Sequence, residues 1–395
     1  MRVDGSRLHR GVLTVAATLV MAATAAWMPA APAAAQTAFA MPTASFAPSG
    51  VFNEVAATSS RNAWAVGRYS SASGTRTLIA RWNGAEWKVA RNPASARHAW
   101  LDGVTVISAR NAWAVGFSVG NRGARGTAIL HWDGTAWKRT PGPSPGSGAS
   151  LIGVAATSAS DAWAVGFTGG FNPLIVHWNG TTWTRVHSPR PLGSGDLIGV
   201  AATSASNAWA VGSTAGGKTL ILRWNGTTWK RVPSPNPAGS STLDRVTATS
   251  ARNAWAVGTT GGRPLIVRWN GTAWKAVHSP SLRGTGELIG VTATSARNAW
   301  AVGNTGPVLA AAASPRNAWA ADVTGGHQVI KPKTLILHWN GKAWTRVPSP
   351  SPAGGALLLG VTATSARNAW AVGGTSDFGG SEKALVLRWN GTAWK

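Results

Sequence analysis

The sequence predicts an all-β protein, a β-propeller made of four-stranded antiparallel blades. Three observations lead to this prediction. The motif NAWAVG, first seen at Asn62, occurs eight times if two close variants are counted, and a second motif of the form WNG-x-x-W accompanies it seven times. Outside the first forty residues, no segment has the apolar periodicity of a helix.

The spacing of the first motif indicates a tandem repeat. Its opening residues stand at 62, 111, 161, 207, 253 and 298, which are 49, 50, 46, 46 and 45 residues apart. Repeats of this length are typical of solenoids and propellers. We therefore predict a single repeat domain over residues 51–395.

One representative unit runs from Leu197 to Pro235 and contains four short β-rich runs, LIGVAAT, AWAVG, TLILRW and TWKRV. Turn-forming residues separate them. The Asn-Gly pair between the last two runs predicts a tight hairpin, because both residues tolerate the positive φ of a type I′ turn. Each unit is thus predicted to be one blade, an antiparallel meander of strands a, b, c and d.

The alternation of side chains along a strand predicts how the blades pack. In AWAVG, Trp64 and Val66 share one face, and the two alanines share the other. A face with large side chains interdigitates well with a face of small ones. We therefore expect blades to stack large face against small face. Both tryptophans of the second motif, such as Trp224 and Trp229, should also share one face, opposed or diagonal across the hairpin.

The repeat is interrupted once, where only 19 residues separate Asn298 from Asn317. We interpret residues 286–306 as a half-unit whose strands c and d are missing, with the next unit beginning at Val308. This count favours seven blades with an additional hairpin. An eight-bladed ring with one stunted blade is the alternative.

The first forty residues resemble an export signal. Arg2, Arg7 and Arg10 precede an apolar run from Gly11 to Trp27, and the small-residue tract APAAAQTAFA follows. We predict a signal peptide and cleavage region at 1–40 and a short linker at 41–50. The apolar run is shorter than the roughly 20 residues that a membrane helix needs. We expect a secreted protein without a transmembrane segment, extracellular or associated with the cell wall.

The composition is strongly basic and rich in tryptophan. The chain has no cysteine, 24 tryptophans and a net charge of +25. Without disulfides, an exported fold depends on a large core, and each buried indole removes about 150 to 250 Å² from water. The charge favours polyanionic partners, such as cell-wall polymers, acidic glycans or released nucleic acid. The alternative is that the charge only keeps a tryptophan-rich protein in solution.

The pattern AWAVG followed by HWDG-x-x-W resembles the repeats of secreted bacterial propellers, of the actinobacterial type, that are grouped with galactose oxidase-like and kelch-like propellers. The resemblance covers Val51 to Lys395 and implies the fold and the location of the protein, but no activity. Galactose oxidase chemistry requires a copper centre with a Tyr crosslinked to Cys, which a chain without cysteine cannot form. The hairpin at Asp133 also resembles the Asp-box turn of sialidase-type propellers. A sialidase site would need a tyrosine nucleophile assisted by glutamate, and the single tyrosine, Tyr69, has no such partner in the sequence.

Five of the few carboxylates fall at or near the start of strand a, which is innermost in propellers. We predict a ring of acidic groups at one mouth of the central channel, able to bind a cation, sugar hydroxyls or a basic partner. The alternative is that these residues only flank polar loops. The candidate residues are Glu54, Asp102, Asp196, Asp244 and Glu287.

Strands c and d place basic residues on the face opposite the tryptophan pairs, and strand d is outermost, so we predict a basic rim. Its alternative is an ordinary solvated surface. Histidines at 131, 177 and 338 occupy equivalent positions in different units and cannot converge on one ion, so we predict no metal site and no cofactor. The candidate rim residues are Arg223, Lys230, Arg268, Lys275, Arg388 and Lys395.

These observations favour a secreted binding or interaction module for cell-envelope or extracellular polyanions or glycans, acting as a monomer. A protein partner is also compatible with the sequence. One alternative is a polysaccharide hydrolase or lyase with its site at the channel mouth, which would need two converging carboxylates. Another is a structural surface protein. Near-identical blades disfavour an enzyme, because a catalytic site needs different residues from different blades.

Overall fold

The fold is described from a computed structural model of the 395-residue chain. The structure describes residues 50–395 except 73, 94–97, 121–122, 144, 190–193, 238, 283, 307–330, 353 and 377–381. The described residues belong to one compact unit. The predicted signal peptide at 1–40 and all but the last residue of the linker at 41–50 lie outside them.

The described residues form a seven-bladed β-propeller, which confirms the predicted fold class. Each blade is an antiparallel sheet whose strands are neighbours in chain order, strands a, b, c and d in six blades and strands a, b and c in the seventh. The innermost strands a are β1 (Gly50–Ser59), β5 (His98–Ser108), β9 (Ser150–Ser158), β13 (Gly195–Ser204), β17 (Ser241–Ser250), β21 (Gly286–Ser295) and β25 (Ala356–Ser365). The strands b are β2 (Asn62–Ser71), β6 (Asn111–Val119), β10 (Asp161–Phe167), β14 (Asn207–Thr214), β18 (Asn253–Thr260), β22 (Asn298–Thr305) and β26 (Asn368–Ser376).

The outer strands complete blades I to VII in the same order. The strands c are β3 (Gly74–Trp82), β7 (Arg125–Trp132), β11 (Pro173–Trp178), β15 (Thr219–Trp224), β19 (Arg263–Trp269), β23 (Lys333–Trp339) and β27 (Glu382–Trp389). The strands d are β4 (Trp87–Val89), β8 (Trp137–Arg139), β12 (Trp183–Val186), β16 (Trp229–Arg231), β20 (Trp274–Val277) and β24 (Trp344–Arg346). In blade VII a single bridge between Trp389 and Trp394 takes the place of strand d.

Adjacent blades pack as the alternation of side chains predicts. Trp209 and Val211 of blade IV contact Ala254 and Ala256 of blade V in one buried cluster. The tryptophan pair of blade V lies on this same alanine-bearing face and flanks the indole of Trp209. Two alanines therefore form the floor, and two indoles the walls, of the space that receives each large side chain.

The same three-tryptophan contact, here called the tryptophan triad, repeats at every blade interface. In the triad of blades IV and V, the ring centroid of Trp209 lies 4.9 Å from that of Trp269 and 5.1 Å from that of Trp274, and the second pair is T-shaped. Such geometry is favourable for aromatic rings. Seven triads account for 21 of the 24 tryptophans.

The ring closes through the same contact. Trp370 of blade VII lies 4.8 Å from Trp82 and 5.4 Å from Trp87 of blade I, between ring centroids. Arg68 of blade I and Glu382 of blade VII add an ion pair at 3.0 Å. Every blade uses strands that are consecutive in the chain, so side-chain packing closes the ring without exchange of a strand.

The hairpin between the two tryptophans is not a type I′ turn; it has the longer of the two loop lengths, two or four residues, that the diagonal and opposed arrangements imply. Trp224 pairs directly with Trp229, so the hairpin between them has four residues. Gly226 alone has a positive φ, of 99°, whereas the Asn225 side chain accepts hydrogen bonds from the backbone N–H groups of Thr227 and Thr228, at 3.0 and 2.9 Å. Asn-Gly is needed here for a side-chain cap followed by a left-handed residue. The tryptophans are opposed, one of the two arrangements expected.

The expected half-unit at 286–306 is also wrong. Its strand β22 pairs with β23, and β23 pairs with β24, so the two strands complete blade VI. The continuation of blade VI is reached only after residues 307–330, which contain the copy at Asn317 and lie outside the described residues. Strands b and c of blade VI pair although a long stretch of sequence separates them, which the spacing of the repeat does not predict.

Candidate functional site

The axis of the ring is shaped by a β-bulge in every strand a. The bulged residue follows a buried leucine or phenylalanine, as Asp244 follows Leu243 and Ile289 follows Leu288. At such a bulge two residues of one strand oppose a single residue of its partner, which redirects the side chain. Several of the bulged residues connect neighbouring blades, and Ile289 and Leu359 of blades VI and VII share one buried cluster. Asn53 of blade I, for example, donates to the carbonyl oxygen of Leu101 in blade II at 2.9 Å.

The residue after the bulge is glycine in five blades, because the next strand a approaches too closely for a side chain. A Cβ at Gly153 would lie 2.6 Å from the carbonyl oxygen of Ile198. In the other two blades this position is Glu54 and Arg245. These two side chains meet across the ring in an ion pair, with Arg245 Nε 2.6 Å from Glu54 Oε2, and both are largely buried.

Arg245 crosses the channel and contacts several blades. Besides Glu54 of blade I, it donates to the carbonyl oxygens of Ile198 in blade IV, Asp102 in blade II and Asp244 in its own blade, at 3.3, 3.3 and 3.1 Å. A buried guanidinium needs such partners to offset the loss of water. The ion pair therefore forms a charged floor in the channel that joins four blades.

A pocket of about 250 Å³ lies above this floor. The second halves of strands a line it, mainly with valine, alanine and threonine, among them Val154, Ala201 and Thr247. The Glu54–Arg245 pair supplies its only charged groups. The pocket can hold a small neutral ligand or water, and its one cation is already engaged by a carboxylate.

The five predicted acidic residues do not form one ring. Glu54 lies in the channel floor, Asp102 and Asp244 are buried bulge residues, and Asp196 and Glu287 lie two positions earlier in their strands. The last two bond to strand b of their own blades. Asp196 accepts from the backbone N–H and the hydroxyl of Ser213, at 3.1 and 2.8 Å, and Glu287 accepts from Asn304 at 2.8 Å. Because strand a alternates and bulges, residues near its start point in different directions, which the acidic-ring prediction neglected.

Glu287 is buried and hydrogen-bonded within its own blade. Burial raises the pKa of Glu287 above its usual value of 4.5, and the hydrogen bond from Asn304 acts in the opposite direction. No group of three or more His, Cys, Asp or Glu side chains suited to a metal ion occurs among the described residues. The structure thus places Asp102, Asp244 and Glu287 in the buried interior, Glu54 in the channel and Asp196 at a half-buried position.

The basic candidates divide into two layers. The arginines at the end of strand c are half-buried and lie over the strand-b indoles, as Arg223 does over Trp209 at 5.0 Å and Arg268 over Trp255 at 4.8 Å. The lysine opposite each arginine on strand d, such as Lys230 opposite Arg223, is exposed. Both lie on the face opposite the tryptophan pair, as predicted.

The first residue of NAWAVG holds the arginine in place. Asn207 accepts from Arg223 at 3.3 Å and donates to the hydroxyl of Thr203 at 2.8 Å. In blade II, His131 replaces the arginine, stacks on Trp113 at 4.2 Å and bonds to Asn111 at 3.1 Å. The repeated asparagine is thus a bridge between strands a and c, a role that its sequence position alone did not reveal.

The three strand-c histidines lie in different blades, each against the indole of its own strand b, as expected from their equivalent positions. Burial lowers the pKa of His131, opposed by the charge of Asp133, and burial lowers the pKa of His338. At neutral pH these two positions are therefore uncharged, unlike the arginines at the equivalent positions of other blades.

Grooves between neighbouring blades expose this basic layer. The groove between blades IV and V has a volume of about 370 Å³ and is lined by Ser204, Ser206, Asn207, Arg223 and Lys230 together with the blade hairpin. The groove between blades I and II, of about 610 Å³, contains the equivalent Arg81 and Lys88. These grooves offer cationic donors beside indole surface, the combination that suits anionic or sugar-bearing ligands.

Arg245 is the residue that sequence reasoning missed. The sequence of strand a indicates this residue, because LIGV in several blades becomes LDRV in blade V and FNEV in blade I. The glycine of LIGV is thus replaced by Arg245 in blade V and by Glu54 in blade I. Two opposite charges at the only two positions of this column that are not glycine predict a cross-ring contact once the ring is known.

No protein-family model and no curated protein matches the chain. Solved structures of similar fold include YCF48 from Cyanidioschyzon merolae, at 15% identity and a TM-score of 0.54, covering 86% of this chain and 97% of that one. YCF48 bound to D1 peptide matches at 14% identity and a TM-score of 0.53, covering 87% of this chain and 93% of that one. An ulvan lyase of a polysaccharide lyase family, bound to -[GlcA(1-4)Rha3S]-, matches at 11% identity and a TM-score of 0.51, covering 88% of this chain and 96% of that one. At these identities the likeness shows the propeller fold alone. Within the described residues, no helix has the length and apolar character needed to cross a membrane.

Proposed function

We propose that this protein is an exported, monomeric binding module for anionic polymers of the cell envelope or its surroundings, such as phosphate-bearing wall polymers or acidic glycans. The observation that carries this proposal is the repeated pairing of arginine and lysine on strands c and d, directly opposite each other, in grooves between blades. Like charges directly opposite on neighbouring strands are destabilising. Their recurrence in several blades therefore favours a use in binding.

The arginine of each pair is well suited to recognition. Stacking on an indole and a hydrogen bond to asparagine fix the orientation of Arg223, so little conformational freedom is lost when it binds. The exposed Lys230 adds a mobile point charge beside it. Many weak and equivalent sites on one ring give multivalent binding to a repetitive polymer.

We prefer a binding module to a polysaccharide hydrolase or lyase because the carboxylates of the predicted channel mouth are engaged inside the fold. Glu54 is paired with Arg245, and Glu287 bonds to Asn304. A hydrolase would require two carboxylates that converge on a substrate. The propellers of similar fold bind a D1 peptide in one case and -[GlcA(1-4)Rha3S]- in another.

The export part of the proposal rests on the basic, apolar and small-residue segments within residues 1–40. Expression of the tagged full chain in a bacterial host, followed by fractionation, tests it. We expect the mature protein in the medium or the wall fraction, shortened near residue 35 or 40. Protein retained at full length in the cytoplasm would contradict export.

The binding part is tested by retention on purified cell walls and on polyanion-coated beads, at about 0.05 M and about 0.5 M salt, with release of reducing sugars measured on the same samples. We expect strong retention at low salt that falls steeply at high salt, because screening over about 10 Å or less removes exposed electrostatic contacts. Absence of retention at low salt would refute the proposal. Sugar release would favour the hydrolase or lyase alternative.

A further inference from the structure

The basic residues of the rim are distributed unevenly around the ring. One end of the ring is formed by the turns between strands a and b and the hairpins between strands c and d, and we call it the hairpin end. Its surface positions are these turns and hairpins, the first residue of strand b, the next-to-last residue of strand c and the second residue of strand d. All of these positions lie in the described part of the chain.

At these positions, blades IV to VII carry ten lysines and arginines and no carboxylate, whereas blades I to III carry five lysines and arginines and three carboxylates. The ten are Arg223, Lys230, Arg252, Arg268, Lys275, Arg297, Lys342, Arg367, Arg388 and Lys395. The five are Arg61, Arg81, Lys88, Arg110 and Lys138, and the three carboxylates are Glu86, Asp133 and Asp161. We call blades IV to VII at the hairpin end the basic arc.

In blades I and II, the strand-d lysine is neutralised within its own hairpin. Lys88 Nζ lies 2.9 Å from Glu86, and Lys138 Nζ lies 2.7 Å from Asp133. The hydrogen bonds from Lys138 and Thr135 hold the pKa of Asp133 below its usual range, so this carboxylate stays ionised. In blade III, strand d has Thr184 in place of the lysine, and strand b begins with Asp161, which bonds to His177 at 2.7 Å.

In the basic arc, the hairpins have the same shape but carry no carboxylate. Asn225, Asn270 and Asn390 occupy the position of Asp133 and cap the turn through the same oxygen contacts. Within the described residues, no carboxylate lies within 4 Å of Lys230 or Lys275. Between blades II and V, whose hairpins are otherwise identical, a single Asp-to-Asn difference thus separates a neutralised lysine from an available one, whereas in blade I the capping residue is Asn83 and the counterion is Glu86.

We propose that the basic arc is the binding surface for the anionic polymer, with the chain of the polymer crossing the hairpin end from blade IV to blade VII. This inference rests on the function proposed above and adds the location of the site. Sulfate, phosphate and carboxylate groups share the chemistry that would engage it, namely oxygen acceptors for lysine ammonium and arginine N–H groups. Blades I to III contribute less, because their strand-d lysines are paired with a carboxylate or replaced by threonine, so that Arg61, Arg81 and Arg110 are the cations left there without a carboxylate within 4 Å among the described residues.

Two triple variants of the full mature protein test the location. The arc variant combines Lys230→Gln, Lys275→Gln and Lys395→Gln. Its control combines Lys218→Gln, Arg263→Gln and Lys333→Gln, three exposed cations at the opposite ends of strands c in blades IV, V and VI. Both lose three positive charges. Dissociation constants are measured for dextran sulfate, polyphosphate and polygalacturonate at low salt, which separates the three anion types.

We expect the arc variant to bind at least one of these polymers about tenfold or more weakly than wild type, and the control to change by no more than about threefold. Equal weakening in both variants would show that net charge alone governs binding, which overturns the basic arc and leaves the proposed function standing. If wild type binds none of the polymers, the proposed function itself fails.

A third variant uses the turn of blade II as its template. Asn225→Asp, Asn270→Asp and Asn390→Asp together keep every lysine and supply each with the counterion that Asp133 gives Lys138. We expect weakening similar to that of the arc variant. The reverse change, Asp133→Asn, should strengthen binding by freeing Lys138. Unchanged affinity in both, with circular dichroism showing intact folds, would overturn the assignment.

Discussion

Removal of one indole from a tryptophan triad should destabilise the whole ring. In Trp209→Ala, a fully buried side chain is deleted from between two alanines and two indoles. Burial of about 150 to 250 Å² at about 25 cal/mol per Å² corresponds to roughly 4 to 6 kcal/mol. Measured losses for buried Phe or Trp to Ala are about 3 to 5 kcal/mol. Arg223 would also lose the ring that it stacks on, worth about 0.5 to 1 kcal/mol at an exposed site.

The assay is guanidinium denaturation followed by far-ultraviolet circular dichroism, since the variant changes the fluorescence itself. We expect a loss of about 4 kcal/mol or more in the free energy of unfolding. The control is Phe171→Ala, whose aromatic side chain is 57% exposed, and it should cost less than about 1 kcal/mol. A loss below about 1 kcal/mol for Trp209→Ala would refute the packing scheme, as would equal losses in the two variants.

Three further experiments test charged and titratable groups that the ring buries wholly or in part. In urea denaturation, Glu54→Gln should lower the free energy of unfolding by about 3 kcal/mol, because it leaves Arg245 buried without its counter-charge. Replacing both residues by glycine, the residue of the other five blades, should lower it less, and a larger loss for this double change would contradict the reasoning. Glu287→Gln should raise the melting temperature at neutral pH by up to a few °C, because burial raises the pKa of this carboxyl and the folded state loses stability as the pH rises through the raised pKa. A lower melting temperature of the variant would show that the negative charge of Glu287 is needed. Burial lowers the pKa of His131 and His338 below 6.5, so the unfolded chain binds protons first and the stability of the fold decreases as the pH drops below about 6.5. Replacing both histidines by Arg, as in four other blades, should make the melting temperature less dependent on pH between about pH 7 and pH 5, and an unchanged dependence would contradict this cause.

The blade and its packing could be predicted from sequence because the repeat averages out local ambiguity. Eight copies of one motif fix the strand boundaries, and side-chain alternation within AWAVG is enough to assign large and small faces. The prediction that the tryptophan pair shares one face followed from the same parity. What parity could not show is that this pair lies beside the alanines and completes the space around the next blade's indole.

The channel could not be predicted in the same way, because a β-bulge breaks the alternation that the reasoning relied on. Each strand a contains a bulged residue near its start, so positions on either side of it point in unexpected directions. Asp196 and Asp244, which were grouped by their nearness to the strand start, therefore have different surroundings. The half-unit at 286–306 failed for another reason, since sequence spacing says nothing about whether a long connection returns to the same sheet.

The charged residues of the rim differ between blades in ways that the sequence shows but that only the structure explains. The pairing of Arg223 with Lys230 was visible, but the difference between Asp133 and Asn225 in the hairpin became meaningful only when the structure showed Lys138 contacting the carboxylate. Comparison of equivalent positions between nearly identical blades then separates the basic arc from the neutralised blades. In a repeat protein, the positions that differ between copies are the informative ones.

The salt dependence of polymer binding tests the central functional claim most directly. For wild type and for the arc variant, the logarithm of the binding constant for the tightest-binding polyanion is plotted against the logarithm of the salt concentration. Each lost ion contact reduces the slope by about 0.7 to 0.9, so the three lysines together predict a slope about two to three smaller in magnitude for the arc variant. Parallel lines for the two proteins would contradict the account, because they would mean that these lysines release no counterions when the polymer binds.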